Sequence, residues 1–327
     1  MRTRQLLVCV LLLATAGVVG SLPFHPGDGV TAAAAPTVPE RAERSVLGRV
    51  PAVRVNGTLY RPEGTVSPPP VVRARAWAVA DLETGRLLGI HRAVAELPMA
   101  STIKLLNAVT AARTVARFPD HRVTWREAHP EYCSCAGLVV GRRYTREALL
   151  AGMLLPSGND AAEAMAGSHP RGRAAFLRAM NATAASLGAD HTNAATPSGL
   201  TAPGGYSSAR DLLLLLRAAQ ATPAVERILS LARYELGPRF GRTHTITRRT
   251  DFVNEYVDRW PGLQGKSGFT TPAKNTLVVN VPIRGRHIGV AILGAPDGTI
   301  TPAAKRLTLW AADNFRRLGD VGVLPEP

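Results

Sequence analysis

The sequence is poor in cysteine, lysine, aromatic residues and acidic residues. Of its 327 residues only 3 are cysteine, the aromatic fraction is 5%, and 24 acidic residues stand against 39 basic ones. So few cysteines exclude a disulfide-stapled scaffold. The basic residues are scattered and not interleaved with aromatic ones, so we expect no nucleic-acid partner. The net charge of +15 favours an anionic membrane or wall-polymer surface, or a solvated basic surface without a partner.

Most of the basic residues are arginine, and lysine is present only at positions 104, 266, 274 and 305. The chain therefore uses arginine wherever a positive charge alone is needed. Lysine can lose its proton under conditions in which arginine cannot. Each of the four lysines is for that reason a candidate for proton chemistry.

The first 35 residues have the pattern of an export signal. Two arginines precede an uncharged run from Leu6 to Gly20. This run has the length of a signal-peptide core and is shorter than the ~20 residues of a spanning helix. We predict that residues 1–35 are a signal peptide or an uncleaved N-terminal anchor. The protein is then exported and lies in the cell wall or at the outer face of the cell membrane.

Proline separates this segment from the part that we expect to fold. Residues 36–72 include the run Pro68-Pro69-Pro70 and show no apolar periodicity, which predicts a semi-rigid linker. Order is expected to begin at Arg73. The folded domain is then residues 73–319, followed by a tail at 320–327.

Within the domain, apolar periodicity predicts strands at both ends and helices between them. The predicted strands are 75–81, 86–91, 263–270, 276–283 and 287–293. The predicted helices are 101–116, 145–153, 160–166, 172–187, 208–218 and 302–318. This order indicates an α+β fold whose antiparallel sheet joins both ends of the chain.

Cys133 and Cys135 could close a tight disulfide or remain free thiols in a surface loop. Together with His121 and His129 they match no standard zinc spacing. We therefore predict no metal and no cofactor.

Three short motifs carry candidate chemistry. Ser101 and Lys104 are three residues apart at a predicted helix start, so their side chains lie on one face, about 5–6 Å apart at Cβ. A neutral lysine there can take the proton of a serine nucleophile. Ser157-Gly158-Asn159 forms a turn between two predicted helices. Lys266-Ser267-Gly268 lies in a predicted strand, where the glycine allows a ligand backbone to approach.

In order, spacing and placement, these motifs resemble those of the penicillin-recognising serine enzymes. Further stretches resemble the low-molecular-weight D-alanyl-D-alanine carboxypeptidases of the S11 family: 154–162, Pro197-Ser198-Gly199-Leu200, 206–211 and 265–270. The resemblance covers roughly residues 73–318. It implies a penicillin-binding-protein/β-lactamase-like domain, with a five-stranded antiparallel sheet packed against helices and an inserted helical subdomain. Ser267 departs from the pattern, because the family usually has threonine there.

The resemblance implies a serine D-Ala-D-Ala carboxypeptidase that acts on peptidoglycan stem peptides and is acylated by β-lactam antibiotics. The residues that it makes catalytic are Ser101, Lys104, Ser157 and Asn159. Those that it makes substrate-binding are Lys266, Ser267, Gly268 and Phe269.

Each residue has an implied role. Ser101 is the nucleophile and Lys104 its general base. Ser157 relays the proton to the leaving amine, and Asn159 orients Lys104 and binds the substrate backbone. Lys266 and Ser267 face the terminal carboxylate. The backbone N–H groups of Ser101 and Phe269 form the oxyanion hole.

The same three motifs also fit other functions. A D,D-transpeptidase or endopeptidase uses the same residues, and a β-lactamase-type hydrolase shares the nucleophile and strand motifs. We find no loop glutamate for deacylation, because Glu163 is too close to the Ser157–Asn159 turn. An inactive wall-binding module would not need all of these reactive side chains. A Ser-His-Asp esterase would need a Gly-x-Ser-x-Gly motif, which the sequence lacks.

Overall fold

A computed structural model describes residues 52–114 and 120–327. The predicted export signal at 1–35 and most of the first half of the predicted linker lie outside the described residues. Among the helices that are described, none combines the length and the apolar character needed to cross a bilayer.

The strands, in chain order, are β1 (Val53–Val55), β2 (Thr58–Pro62), β3 (Ala76–Asp81), β4 (Leu87–His91), β5 (His121–Arg122), β6 (Arg143–Tyr144), β7 (Arg233–Arg239), β8 (Arg242–Thr247), β9 (Gln264–Thr270), β10 (Lys274–Ile283), β11 (Arg286–Ala295) and β12 (Leu318–Gly319).

The α-helices are α1 (Lys104–Thr114), α2 (Trp125–Ala128), α3 (Arg146–Leu154), α4 (Asn159–Gly167), α5 (Gly172–Ser186), α6 (Ala209–Gln220), α7 (Pro223–Ser230), α8 (Asp251–Tyr256) and α9 (Ile300–Asn314). Two 3₁₀ helices, Ala100–Ile103 and Phe315–Arg317, precede α1 and follow α9.

The large sheet has eight antiparallel strands in the order β1-β2-β4-β3-β11-β10-β9, with β12 also paired to β2. The five predicted strands are adjacent at its centre and at one edge, so the α+β prediction is confirmed. Strands from the beginning of the chain meet strands from its end where β3 pairs with β11, while α1 to α8 lie between β4 and β9 in sequence. β9 lies at one edge of this sheet, where it pairs with β10 on one side and with no strand of the sheet on the other.

Both faces of the sheet are covered, which is why β3 is buried along its whole length. Ala76, Ala78 and Ala80 face the core formed with α1 and α3 to α7. Trp77 and Val79 face the second core, which includes residues of α8 and α9. This alternation follows the two-residue period of a strand, and small side chains on one face let the helices approach closely.

The prediction that order begins at Arg73 is wrong. The chain already forms β1 and β2 before the proline run, and β2 pairs with β4. The predicted tail at 320–327 also packs on the domain. Val321 and Leu324 are buried, and the Leu324 N–H donates to the Gly85 carbonyl. Strands as short as β1 and β2 have no clear sequence period, so the prolines near them favoured the prediction of a linker.

We predict that Leu324 contributes to stability although only three residues follow it in the sequence. Its side chain is 1% exposed, whereas its neighbour Val323 is 55% exposed. Removing a buried leucine side chain costs about 2–5 kcal/mol. Chemical denaturation should show Leu324→Ala less stable by about that amount, with Val323→Ala nearly unchanged. Equal stability of the two variants would mean that the C-terminal segment does not pack in solution.

Candidate active site

The first motif lies where the 3₁₀ helix turns into α1. Ala100 has a left-handed backbone (φ 48°), which directs the chain into the helix at Ser101. The Lys104 side chain then returns toward the helix start, and its Nζ lies 2.7 Å from Ser101 Oγ. Lys104 is fully buried whereas Ser101 is partly exposed. The pair therefore joins a hydroxyl that a ligand can reach to an amine that water does not reach.

The second motif closes over the same amine. Ser157 has a left-handed backbone (φ 64°), and α4 begins two residues later. Lys104 Nζ lies 2.7 Å from Asn159 Oδ1, 3.0 Å from the Ser157 carbonyl oxygen and 3.5 Å from Ser157 Oγ. Gly158 is required between them, because a Cβ there would lie 2.5 Å from the Gly152 carbonyl oxygen.

The partners of Lys104 Nζ fit a neutral amine. A neutral amine has two N–H donors and one lone pair. The Asn159 side-chain oxygen and the Ser157 carbonyl oxygen can only accept, so they take the two N–H groups. The lone pair is then left for the hydroxyl proton of Ser101. This arrangement can remove a proton from the serine.

The electrostatic surroundings favour the same protonation state. Burial lowers the pKa of Lys104 well below its ordinary value, and the charge of Lys266 lowers it further, against smaller opposing effects of Asp160 and Glu163. Burial also lowers the pKa of Lys266, to about 7. Both effects arise because a buried ammonium loses its hydration.

The third motif brings the edge strand β9 against Ser101. At Gly268 a Cβ would lie 2.6 Å from the Ser101 backbone nitrogen and 3.0 Å from the Ala100 Cβ, so a larger residue would push the strand away. Thr276 on β10 links β9 to the segment before Ser101. Its hydroxyl lies within hydrogen-bond distance of two carbonyl oxygens that can accept its proton, those of Met99 (3.0 Å) and Gly268 (3.1 Å). Lys266 is buried and donates to the Ser267 carbonyl oxygen at 2.7 Å.

A cavity of about 380 Å³ opens over these motifs. Ser101, Ser157, Ser267, Gly268 and Phe269 all line it. The structure thus brings every predicted site residue into one place, with Lys104, Asn159 and Lys266 buried around the partly exposed Ser101. A cleft with a serine, a buried amine and an edge strand can bind an extended peptide and attack one of its carbonyl groups.

Arg249 also lines this cavity, and no sequence motif distinguishes it from the other arginines of the chain, 35 in all. Its backbone N–H donates to the Leu155 carbonyl, which fixes it beside the turn that carries Ser157. With Lys266 it makes the cleft suitable for an anionic end of a ligand.

A loop that includes both cysteines supports Asn159. Cys133 and Cys135 form a disulfide, which settles the alternatives left by the sequence. The carbonyl oxygens on either side of Cys133 accept from Asn159: Tyr132 from the side-chain Nδ2 and Ser134 from the backbone N–H, both at 2.6 Å. One Asn159 side-chain N–H is thus already used inside the protein.

Asp160 holds the following part of this loop, and the sequence did not single it out. Its buried carboxylate accepts the backbone N–H groups of Ala136, Gly137 and Leu138 at 2.8–3.0 Å. An acidic residue directly after the asparagine of the second motif was the only signal for it. Over residues 52–114 and 120–327, no cluster of three or more histidine, cysteine or acidic side chains could hold a metal ion.

Known proteins are similar to this chain in sequence and in fold. Residues 63–297 match the peptidase S11 family, described as D-alanyl-D-alanine carboxypeptidase. The chain is 36% identical over 236 residues to the D-alanyl-D-alanine carboxypeptidase DacB2 of Mycobacterium tuberculosis, covering 71% of this chain and 78% of that one. It is 30% identical over 250 residues to the D-alanyl-D-alanine endopeptidase of Escherichia coli, covering 75% and 79%.

A crystal structure of a D-alanyl-D-alanine carboxypeptidase from Mycobacterium tuberculosis H37Rv superimposes with a TM-score of 0.72 at 34% identity, covering 80% of this chain and 99% of that one. The family match, the relatives and the fold agree with the geometry around Ser101. The chain belongs to the S11 family of D-alanyl-D-alanine carboxypeptidases.

Proposed function

We propose that this protein is a serine D-Ala-D-Ala carboxypeptidase that removes the terminal D-alanine from peptidoglycan stem peptides. The observation that carries the proposal is the 2.7 Å approach of Lys104 Nζ to Ser101 Oγ, with the other partners of the amine being acceptors. Membership of the S11 family supplies the substrate class.

In the proposed acylation step, Ser101 Oγ attacks the carbonyl carbon between the two D-alanines while its proton passes to Lys104. The backbone N–H groups of Ser101 and Phe269 stabilise the developing oxyanion. The carbon–nitrogen bond then breaks, and the leaving D-alanine amine takes the proton through Ser157, whose hydroxyl is 3.5 Å from Lys104 Nζ. Water attacks the resulting ester, which frees Ser101 and the shortened peptide.

Recognition of the C-terminal carboxylate distinguishes a carboxypeptidase from other enzymes with the same nucleophile. In this proposal the terminal carboxylate is bound by Ser267 and Arg249, which line the cavity of about 380 Å³, with the buried Lys266 supplying positive charge behind them. Ser267 keeps the hydroxyl of the threonine that is usual in the family. We therefore expect it to bind the carboxylate in the same way.

Endopeptidase activity is a second candidate, because a relative of that name is 30% identical over most of its length. A release assay separates the two activities: a carboxypeptidase liberates free D-alanine from an uncrosslinked peptide.

A β-lactamase has less support. Glu163 forms an ion pair with Arg173 at 2.6 Å and is not among the residues that line the cavity over Ser101.

The proposed substrate also places the protein outside the cytoplasm. Peptidoglycan lies beyond the cell membrane, and the first 35 residues have the pattern of a signal peptide or anchor. A net charge of +15 would favour contact with anionic wall polymers or lipid headgroups.

Covalent labelling tests the nucleophile. A β-lactam resembles D-Ala-D-Ala, so benzylpenicillin should add one drug molecule at Ser101, and Ser101→Ala should abolish the mass increase. The parent protein should also release D-alanine from a D-Ala-D-Ala peptide, and a chelator should not reduce the rate. Retained labelling in the alanine variant would place the nucleophile elsewhere.

Replacement of Lys104 by arginine tests the general base. Arginine stays protonated (pKa above ~12) and cannot accept the Ser101 proton. General-base catalysis contributes about 10²–10⁴-fold, so acylation should fall by at least about two orders of magnitude in Lys104→Arg. Lys266→Arg should lose less, because we assign Lys266 an electrostatic role.

The same assay gives a pH profile for the parent enzyme. A lysine with a lowered pKa is neutral above that lowered value, so acylation should rise with pH and level off well below the ordinary lysine pKa of about 10.4. A folded Lys104→Arg protein that acylates within a few-fold of the parent would rule out Lys104 as the base.

A methyl group at Gly268 should separate β9 from Ser101. The added Cβ would meet backbone and Thr276 rather than a flexible side chain, so the strand must shift. Misplacement of this order can cost about 10²-fold in rate. The rate of penicillin acylation should therefore be lower in Gly268→Ala than in the parent by at least about tenfold. The melting temperature of the variant shows whether it is folded. An unchanged acylation rate would mean that the close approach has no part in the reaction.

A further inference from the structure

The hairpin formed by β7 and β8 ends in a turn that contains an aromatic residue. Arg239 pairs with Arg242 across the two strands, so Phe240 and Gly241 form a two-residue turn. Both turn residues have a left-handed backbone, with φ of 51° and 75°. Turns of this geometry favour Asn-Gly or Asp-Gly, and a bulky side chain rarely adopts a positive φ. Phenylalanine is therefore an unfavourable residue for the turn itself.

Packing inside the protein does not explain Phe240 either. Its side chain is 87% exposed, the largest value among the exposed large hydrophobic residues that the structure describes. The guanidinium of Arg239 lies over the ring, 5.3 Å from its centroid. The chain has few aromatic residues, and this one stands in water at the end of a hairpin, in a conformation that disfavours it. These observations together favour a contact outside the chain.

Arginines lie beside this tip on two parts of the chain. Arg142 donates a hydrogen bond to the Pro238 carbonyl on β7, which places the turn before β6 against the hairpin. Arg122 and Arg143 are partners across β5 and β6. We define the hairpin-tip surface as Phe240 together with the five arginines of this region: Arg122, Arg142, Arg143, Arg239 and Arg242.

These arginines can bind an anion. None of the five forms an ion pair with an acidic side chain within residues 52–114 and 120–327. Arg122 donates to the Gly141 carbonyl at 2.6 Å, and Arg143 donates to the Asp120 carbonyl at 2.9 Å. A guanidinium has five N–H donors in a planar fork that matches phosphate oxygens. The hydrogen bonds to the backbone therefore leave further donors for a phosphate group.

The surface of an anionic bilayer fits this combination better than a soluble anionic polymer does. A polymer would bind the arginines and leave Phe240 in water. At a bilayer, an aromatic ring enters the boundary between headgroups and acyl chains while basic side chains contact the lipid phosphates. The net charge of +15 adds to the attraction toward such a surface.

We propose that the hairpin-tip surface docks on a membrane that contains anionic phospholipids. Phe240 enters the boundary between headgroups and acyl chains. The arginines bind lipid phosphate groups, and Arg143 and Arg242 are the most accessible for this because both are exposed.

Docking of the tip also fixes the position of the catalytic cleft relative to the membrane. His244 on β8 is hydrogen-bonded to the Ala136 carbonyl at 2.7 Å, in the loop that supports Asn159. Arg249, which lines the cleft, follows β8 closely in sequence. The six residues of β8 span about 20 Å at ~3.3 Å per residue. The tip therefore holds the cleft at a distance on the order of 20 Å from the lipid headgroups.

A tryptophan at the tip tests the proposal in the full-length protein. The readout is the emission of Phe240→Trp minus that of the parent. It should shift to shorter wavelength with vesicles of phosphatidylcholine and phosphatidylglycerol, and lipids brominated on their acyl chains should quench it. Vesicles of phosphatidylcholine alone should have little effect. This local signal reports the position of the hairpin whether or not the N-terminal segment also binds the membrane.

A matched control places tryptophan at another exposed apolar position. Val323 is 55% exposed in the C-terminal segment. The added tryptophan in Val323→Trp should neither shift nor be quenched with either kind of vesicle.

Two exposed arginines test the contribution of charge in the Phe240→Trp background. A basic residue near an anionic membrane contributes about fivefold in binding. Arg143→Gln combined with Arg242→Gln should therefore raise the lipid concentration that gives half of the shift by roughly tenfold or more. Arg306→Gln combined with Arg316→Gln removes the same charge from exposed positions on α9 and the 3₁₀ helix after it, and should raise it much less. Melting temperatures show whether each variant is folded.

Three results would overturn the proposal. One is the absence of a shift with anionic vesicles, and another is an equal shift with phosphatidylcholine alone. The third is a lipid requirement that the Arg143 and Arg242 substitutions leave unchanged. If inorganic polyphosphate binds these arginines while vesicles leave the tip in water, the surface binds a soluble anionic polymer and the membrane proposal is wrong. Penicillin labelling of Ser101 is measured separately, so each of these results leaves the proposed function standing.

Discussion

A buried amine is the constraint on which the rest of the site depends. Lys104 is fully buried, so its charged form loses hydration that the surroundings do not replace, and Lys266 is buried in the same region. Two such ammonium groups repel each other where the dielectric constant is low. The least costly arrangement leaves Lys104 neutral, with its lone pair toward Ser101. We therefore regard burial as the source of the base's reactivity.

The fold keeps Lys104 buried by packing the segments of the site closely against one another, and glycines stand where their backbones approach most closely. Gly268 brings β9 against the Ser101 backbone, Gly158 brings the Ser157 turn against Gly152, and Gly199 packs on Ala100. None of these positions tolerates a side chain. The loop at 132–138 is fastened to the second motif through Asn159 and Asp160. The residues that position the site therefore outnumber those proposed to react.

The sequence was most informative where chemistry depends on local spacing. The helix start at Ser101, the turn at Ser157 and the strand at Lys266 were all predicted, because a three-residue helical spacing and a two-residue strand period are local properties. Arg249, Thr276 and Asp160 were missed, because their importance arises from contacts between distant segments. β1 and β2 were missed because strands of three and five residues beside prolines have no recognisable period. The Cys133–Cys135 alternatives needed coordinates to be resolved.

The protonation state of Lys104 can be measured directly because the chain has so few lysines. In protein labelled only on its lysine side chains, magnetic resonance should show four amine signals, and Lys104→Arg and Lys266→Arg identify two of them. We expect the Lys104 signal to titrate well below the ordinary lysine pKa of about 10.4, and the Lys266 signal to titrate near 7. A Lys104 signal that titrates at or above the ordinary value in the folded protein would contradict the account.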